Sequence, residues 1–340
     1  MSIGVAILGA GLVANVHVSA LKEVSAANIC GVWGRTESSA RAFADRHGIA
    51  CYSQFADVLA DPSVDVVVNC LPSGNHAEFG IAAAAAKKHV IVEKPIDITS
   101  ERANELIAAC RNQGVKLAVI FQNRFTPAAC QVKQALKAGV LGKLLLGDAY
   151  VKWYRSAEYY QANAWRGTLA IEGGGALINQ AIHTIDLLQW LMGGVKSVVG
   201  MVRTTTHSIE GEDLGVAMVE FANGALGVIE GSTAILPSYK ERIELHGQKG
   251  TIILEGGNIR EWKVEGMDEA DYVQPEKVSY GVTNSPAISY VNHKAQYEEI
   301  FAAIGQDREP LVNGEEGLKA LEIILAIYNS SKTGERVKLR

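Results

Sequence analysis

The chain has 340 residues, 48% of them hydrophobic and 20% charged, with a formal net charge of −5. That length holds two ordinary domains with a core each, and the acidic balance argues against a nucleic-acid backbone or an anionic membrane as partner. The start, Met1-Ser2-Ile3-Gly4-Val5, lacks a basic n-region and is read as carrying no signal peptide, and the alanine run Ala82–Ala86 is far too short to span a bilayer. The cysteines Cys30, Cys51, Cys70, Cys110 and Cys130 are scattered and never form a CxxC pair, which points to reduced thiols in a cytoplasmic protein.

Up to Phe121, apolar strands alternate with helical stretches. The expected strands are Ile3–Leu8, Ile29–Trp33, Val64–Cys70, His89–Glu93 and Lys116–Phe121. The expected helices are Val13–Val24, Ser38–His47, Phe55–Ala60, His76–Lys87 and Ser100–Gln113, the last with Asp97 and Thr99 as cap chemistry and Gly114 as its stop. This alternation is the pattern of a Rossmann-type α/β domain, residues 1–121, with a parallel sheet covered on both faces. Gly9-Ala10-Gly11-Leu12-Val13-Ala14 follows the first strand and opens the first helix. Gly9 allows a tight turn, Gly11 lets the backbone approach a pyrophosphate, and the helix N-terminus offers amides to it. An acid at the end of the second strand would bond the ribose of NAD, but this strand ends in Gly34-Arg35-Thr36, with Ser38 beyond. Arg35 can pair with a 2′-phosphate, so NADP is the preferred cofactor, with NAD (Arg35 then stacking on adenine) as the other reading. Leu71, Pro72 and His76 lie after the third strand, where nicotinamide is expected; His76 can equally start a helix and pair with Glu78. The fourth strand ends in Glu93-Lys94-Pro95, which presents an ammonium group at the sheet edge where open α/β folds bind ligands, so Glu93 and Lys94 are expected at the cofactor. A charged strand end closed by a turn proline is the plain alternative.

Beyond Phe121 the texture becomes α+β, and residues 122–340 are read as a second domain on a mostly antiparallel sheet, with a closing helix able to return to the first. A helix at Pro127–Ala138 precedes a strand at Leu144–Trp153, and a long helix spans about Gly175–Met192. Strands follow at Ser197–Thr206, Asp213–Phe221, Ala225–Thr233, Arg242–His246 and Thr251–Glu255, with Asn223-Gly224 as a hairpin turn. Glu265–Glu276 reads as an exposed acidic loop, and Gly314–Thr333 as the closing helix. Asn179, His183 and Asp186 are spaced to share one helix face, where Asp186 either holds the His183 ring or bonds backbone. No third ligand stands at suitable spacing, so no metal is expected. Arg124, Arg155, Tyr160, Trp165 and Arg166 are candidate substrate contacts, because aromatic faces and guanidinium forks suit sugar rings and anionic substituents. The strand Asp213–Phe221 is apolar on both faces, so a homodimer or homotetramer is expected.

Together these motifs resemble the glucose–fructose oxidoreductase/inositol dehydrogenase (Gfo/Idh/MocA) family. The matching residues are Gly9–Ala14, His17, Leu71-Pro72-Ser73-Gly74-Asn75-His76, Glu93-Lys94-Pro95, Gln122-Asn123-Arg124-Phe125, Trp165-Arg166-Gly167, Gly173 through His183, and Val312 through Leu321. The resemblance implies NAD(P)-dependent oxidation or reduction at a secondary hydroxyl or ketone of a sugar, cyclitol or sugar derivative, nucleotide-linked sugars included. It also implies catalytic roles for Lys94 and His183. The family's usual aspartate four residues before that histidine is Asn179 here, which can orient a hydroxyl but cannot take a proton. The alternative is a catalytically silent NADP-binding regulator of the same fold.

Overall fold

The computed structural model describes residues 2–267 and 289–339. The acidic stretch expected as a loop therefore lies, from residue 268 onward, outside the described residues. The chain divides into two compact units: 1–122 with 289–318, and 123–288 with 319–340.

In the first unit β1 (Ile3–Leu8), β2 (Ala27–Trp33), β3 (Val66–Asn69), β4 (His89–Val92) and β5 (Leu117–Val119) form a parallel sheet of order β2-β1-β3-β4-β5. Every residue of β1 and β3 is buried, as expected for strands covered on both faces. The helices are α1 (Leu12–Lys22), α2 (Glu37–His47), α3 (Phe55–Ala60), α4 (His76–Ala85) and α5 (Ser100–Gln113). Thr99 caps α5 by accepting from Arg102 N, and Gly114 closes it in the left-handed conformation. Asp97 instead accepts from Ala77 N at 2.8 Å and so caps the start of α4.

A single cut at residue 121 differs from this division, because the chain comes back to the first core. Helix α9 (Val291–Gly305), absent from the sequence reading, places Tyr297, Ile300 and Phe301 in one cluster with β1 and α1. The start of α10 (Gly314–Thr333), to Leu318, also counts with this unit.

The second unit carries an eight-stranded sheet of β6 (Leu144–Lys152), β7 (Val195–Arg203), β8 (Leu214–Phe221), β9 (Leu226–Ser232), β10 (Arg242–Gly247), β11 (Gly250–Glu255), β12 (Asn258–Val264) and β13 (Val337–Lys338). Its order is β12-β11-β10-β6-β9-β8-β7-β13, antiparallel except where β6 meets β9. Helices α6 (Pro127–Lys137), α7 (Ala157–Gln161) and α8 (Ile182–Met192) belong to this unit, as does α10 from Lys319 onward. The long helix expected from Gly175 begins as a π-helix over Ala176–Ala181 and becomes α-helical only at Ile182. The spacing that put three polar groups on one face thus covers His183 and Asp186 but not Asn179.

Candidate active site

The dinucleotide cradle is set by geometry at the β1–α1 turn. Gly9 has φ +102°, and a Cβ there would stand 2.9 Å from the Cys70 carbonyl oxygen. Gly11 caps α1 with no side-chain cap, no acid stands in the helix's first turn, and a Cβ on Gly11 would meet nothing within 4 Å. Open space over uncapped amides fits a pyrophosphate, with Ala10, Leu12 and Val13 around it. Leu12 is 80% exposed, an apolar side chain left uncovered at this mouth. At the β2 end Arg35, Thr36 and Ser38 are exposed and Gly34 is half-buried.

Lys94 is half-buried at the end of β4, and a buried network fixes its backbone. The Lys94 N–H donates to Glu93 Oε2 at 3.1 Å, while Glu93 Oε1 lies 2.8 Å from His17 Nε2. His17 Nδ1 in turn stands 2.6 Å from the Tyr297 hydroxyl, and His293 Nε2 is 4.0 Å from Glu93 Oε1. Burial opposes ionisation of Glu93, yet the hydrogen bond and charge of His17, helped by His293 and Lys94, draw its carboxyl down to about 2. Burial likewise opposes a charged His17, but Cys70, Tyr297 and Glu93 outweigh it and raise the ring well above its ordinary value. Burial and the charge of His17 push His293 down to about 4. The arrangement is one ion pair, His17 with Glu93, beside a neutral His293. Glu93, expected at the cofactor, is therefore occupied within the core.

His76 is also enclosed, at 1% exposure. Its Nδ1 meets Pro95 O at 2.7 Å and its Nε2 meets Leu71 O at 2.9 Å, so the ring ties the loop after β3 to the segment after Lys94. Burial lowers its pKa, and the neutral ring donates to only one of these carbonyls. The alternative pairing with Glu78 is not what the ring does. Leu71 is buried and Pro72 half-buried on the same loop.

In the second unit Asp186 stands in a buried ion pair. It pairs with Arg124, whose Nε and Nη2 donate at 2.8 and 2.6 Å, both residues being at most 4% exposed. Arg124, expected on the substrate, is thereby a buried structural cation. His183 and Asn179 are half-buried. Gln180 donates to Asn179 Oδ1 at 3.2 Å and to the Tyr159 hydroxyl at 2.9 Å, and accepts from Arg155 at 2.8 Å. Tyr160 bonds Thr233 Oγ1 at 2.7 Å, and the guanidinium of Arg166 lies over the rings of Tyr159 and Trp165.

Two acids the sequence reading missed shape this region. Glu212 accepts from Gly175 N, Leu177 N and the Tyr328 hydroxyl at 2.9, 2.6 and 2.9 Å, which seats the start of the π-helix. Burial raises its pKa against those bonds. Asp213 gathers the amides of Thr205, Thr206 and His207 within 2.9 Å. The polar pair Glu212-Asp213 opening an apolar strand was a visible signal. Tyr297 and His293 had a weaker one: His293, Tyr297, Ile300, Phe301 and Ile304 repeat at helical spacing.

Two family models together match most of the chain: the NAD-binding Rossmann fold of an oxidoreductase family over residues 3–121, and that family's C-terminal alpha/beta domain over residues 133–339. A solved structure of the WlbA dehydrogenase from Bordetella pertussis, in complex with NADH and UDP-GlcNAcA, is 32% identical over 100% of this chain and 99% of that one, with a TM-score of 0.90. Myo-inositol 2-dehydrogenase from Thermotoga maritima is 27% identical over 100% of this chain and 98% of its own length. Levoglucosan dehydrogenase from Pseudarthrobacter phenanthrenivorans is 30% identical over 64% of this chain and 63% of its own. With its glycine cradle, its lysine-ended fourth strand and both domain matches, the chain belongs to the Gfo/Idh/MocA family of oxidoreductases.

Proposed function

We propose that this protein oxidises or reduces a secondary hydroxyl or ketone of a sugar, cyclitol or sugar derivative, nucleotide-linked sugars included, with NADP preferred over NAD. The observation that carries the reading is Lys94, held at the end of a buried parallel strand by Glu93 and His17 in a chain whose cradle fits a dinucleotide. When bound, the nicotinamide accepts or donates the hydride. In the oxidative direction the family resemblance gives His183 the role of taking the hydroxyl proton and the Lys94 ammonium that of stabilising developing negative charge. Asn179 orients the substrate. Arg35 and Gly34 support the NADP preference, since no carboxylate ends β2 and an exposed guanidinium does. All five cysteines are free thiols, which supports a cytoplasmic setting, and among the described residues no helix is long and apolar enough to cross a membrane. The exposed apolar face of the second sheet supports a homodimer or homotetramer.

The test is turnover of NADP and NAD against a panel of inositols, neutral sugars, sugar acids and UDP-sugars. Lys94→Ala is expected to lower kcat by about 10²–10⁴-fold while NADP still binds. Arg35→Ala is expected to cut the NADP-over-NAD preference by about 10-fold or more. Near-normal turnover by the Lys94 variant overturns the assignment. NADP binding without turnover of any panel member favours the regulator instead.

A further inference from the structure

We propose that Arg155 and Arg166 form a receptor for an anionic substituent of the substrate, a carboxylate or a phosphate, beside the helix that carries Asn179 and His183. This deepens the sugar reading given above and rests on it for the identity of the ligand as substrate.

Both guanidinium groups are packed against aromatic rings of the second unit. Arg166 Cζ lies 3.9 Å from the ring centre of Tyr159, and Arg155 Cζ lies 5.3 Å from the same centre and 5.2 Å from that of Trp153. Stacking fixes the planes of the two forks and takes their carbon faces out of water. It leaves one donor of each fork unsatisfied. Nε of Arg155 and Nε of Arg166 are both buried without a hydrogen-bond partner. Among the described residues neither arginine has a carboxylate partner, whereas Arg124 and Arg242 of the same unit do. The buried Glu172 carboxylate accepts from the Gly167 N–H and acts on Tyr159 electrostatically, as both arginines do. A partly buried guanidinium whose Nε–H lacks a partner keeps a dehydrated donor on offer, and a planar fork is suited to a bidentate carboxylate or phosphate.

The position favours a substrate role over a remote one. Arg155 reaches Gln180 Oε1 at 2.8 Å, and Gln180 touches Asn179 at 3.2 Å, so the cationic cluster is one side chain away from the π-helix residue expected to orient the substrate. A recess of about 680 Å³ adjoins it within the unit, lined by Arg166, Tyr160, Thr168, Thr206 and His207, large enough for a sugar with its substituent.

Calorimetric titration of the full-length protein with glucose, glucuronate and glucose 6-phosphate tests the receptor without requiring turnover. At least one anion is expected to bind about tenfold or more tighter than glucose, weakening as salt is raised. The carboxylate and phosphate arms tell the two sources apart. Arg155→Gln and Arg166→Gln should erase the preference, and Arg166→Lys, which keeps charge but not the fork, should retain part of it; melting curves identify any variant that fails to fold. Equal behaviour of glucose and both anions, joint absence of binding included, or a preference that survives both glutamine variants, overturns the receptor. Anion binding without turnover of any sugar overturns the oxidoreductase reading instead and leaves the receptor standing.

Discussion

At the scale of residues, buried charge in this protein is organised in pairs, and each pair makes a measurable claim. Arg124 and Asp186 are both enclosed, so removing one leaves the other charged and dehydrated. Arg124→Met is expected to destabilise the fold by about 3–5 kcal/mol in denaturant unfolding. An effect under about 1 kcal/mol would mean the pair is reached by water. His293 makes a claim about pH. It is neutral in the fold, with a pKa of about 4 against an ordinary 6.5, so its contribution is full above 6.5 and is lost as pH falls through 4. The loss is of order 3 kcal/mol. Glu93, drawn from an ordinary 4.5 to about 2, adds a second loss as pH falls below 4.5. His17 runs the other way: raised above its ordinary value, it contributes fully below 6.5 and less as pH climbs through its folded value. Cys70, Tyr297 and Lys94 are the other titratable groups acting on this cluster. Melting temperature should therefore fall between pH 6.5 and 4, and His293→Phe should flatten that limb while leaving the more acidic one.

At the scale of elements, the π-helix ahead of α8 depends on an acid far away in sequence. Glu212 accepts two amides at the start of that helix and a tyrosine hydroxyl, and its own carbonyl accepts Ala176 N at 2.7 Å. A Cβ on Gly175 would come 2.0 Å from that carbonyl, so the close approach requires glycine. Glu212→Gln replaces a carboxylate that only accepts with an amide whose NH₂ must face a donor. It is expected to cost about 1–3 kcal/mol of stability and to lower kcat more than it raises KM, because His183 follows the same helix. Unchanged kinetics at reduced stability would confine Glu212 to a structural role. The sequence displayed a helix from about Gly175 but not the π turns that open it, since local propensity does not distinguish π from α where a distant carboxylate sets the first amides.

At the scale of the whole molecule, one face of the second sheet remains uncovered in the single chain. Met201 and Met218 are each 63% exposed, Leu226 59% and Val216 45%, all on one face by the strand register. A second copy is the proposed cover, and Met218→Glu should shift the sedimentation or light-scattering mass toward a monomer; an unchanged mass would place the interface elsewhere. The double apolar patterning of β8 was readable directly. So were the parallel sheet up to Phe121, the glycine cradle and the exposed basic end of β2, because period, turn chemistry and strand ends are local properties of a chain. The tertiary structure alone decided that residues near 297 complete the core behind Lys94, that Asp186 serves Arg124, and that Glu93 and His76 are spent on fixing loops. Most of those partners stand tens to hundreds of residues apart, and a buried charge or hydrogen-bonding group takes whichever partner packing brings within about 3 Å, which no spacing along the chain records.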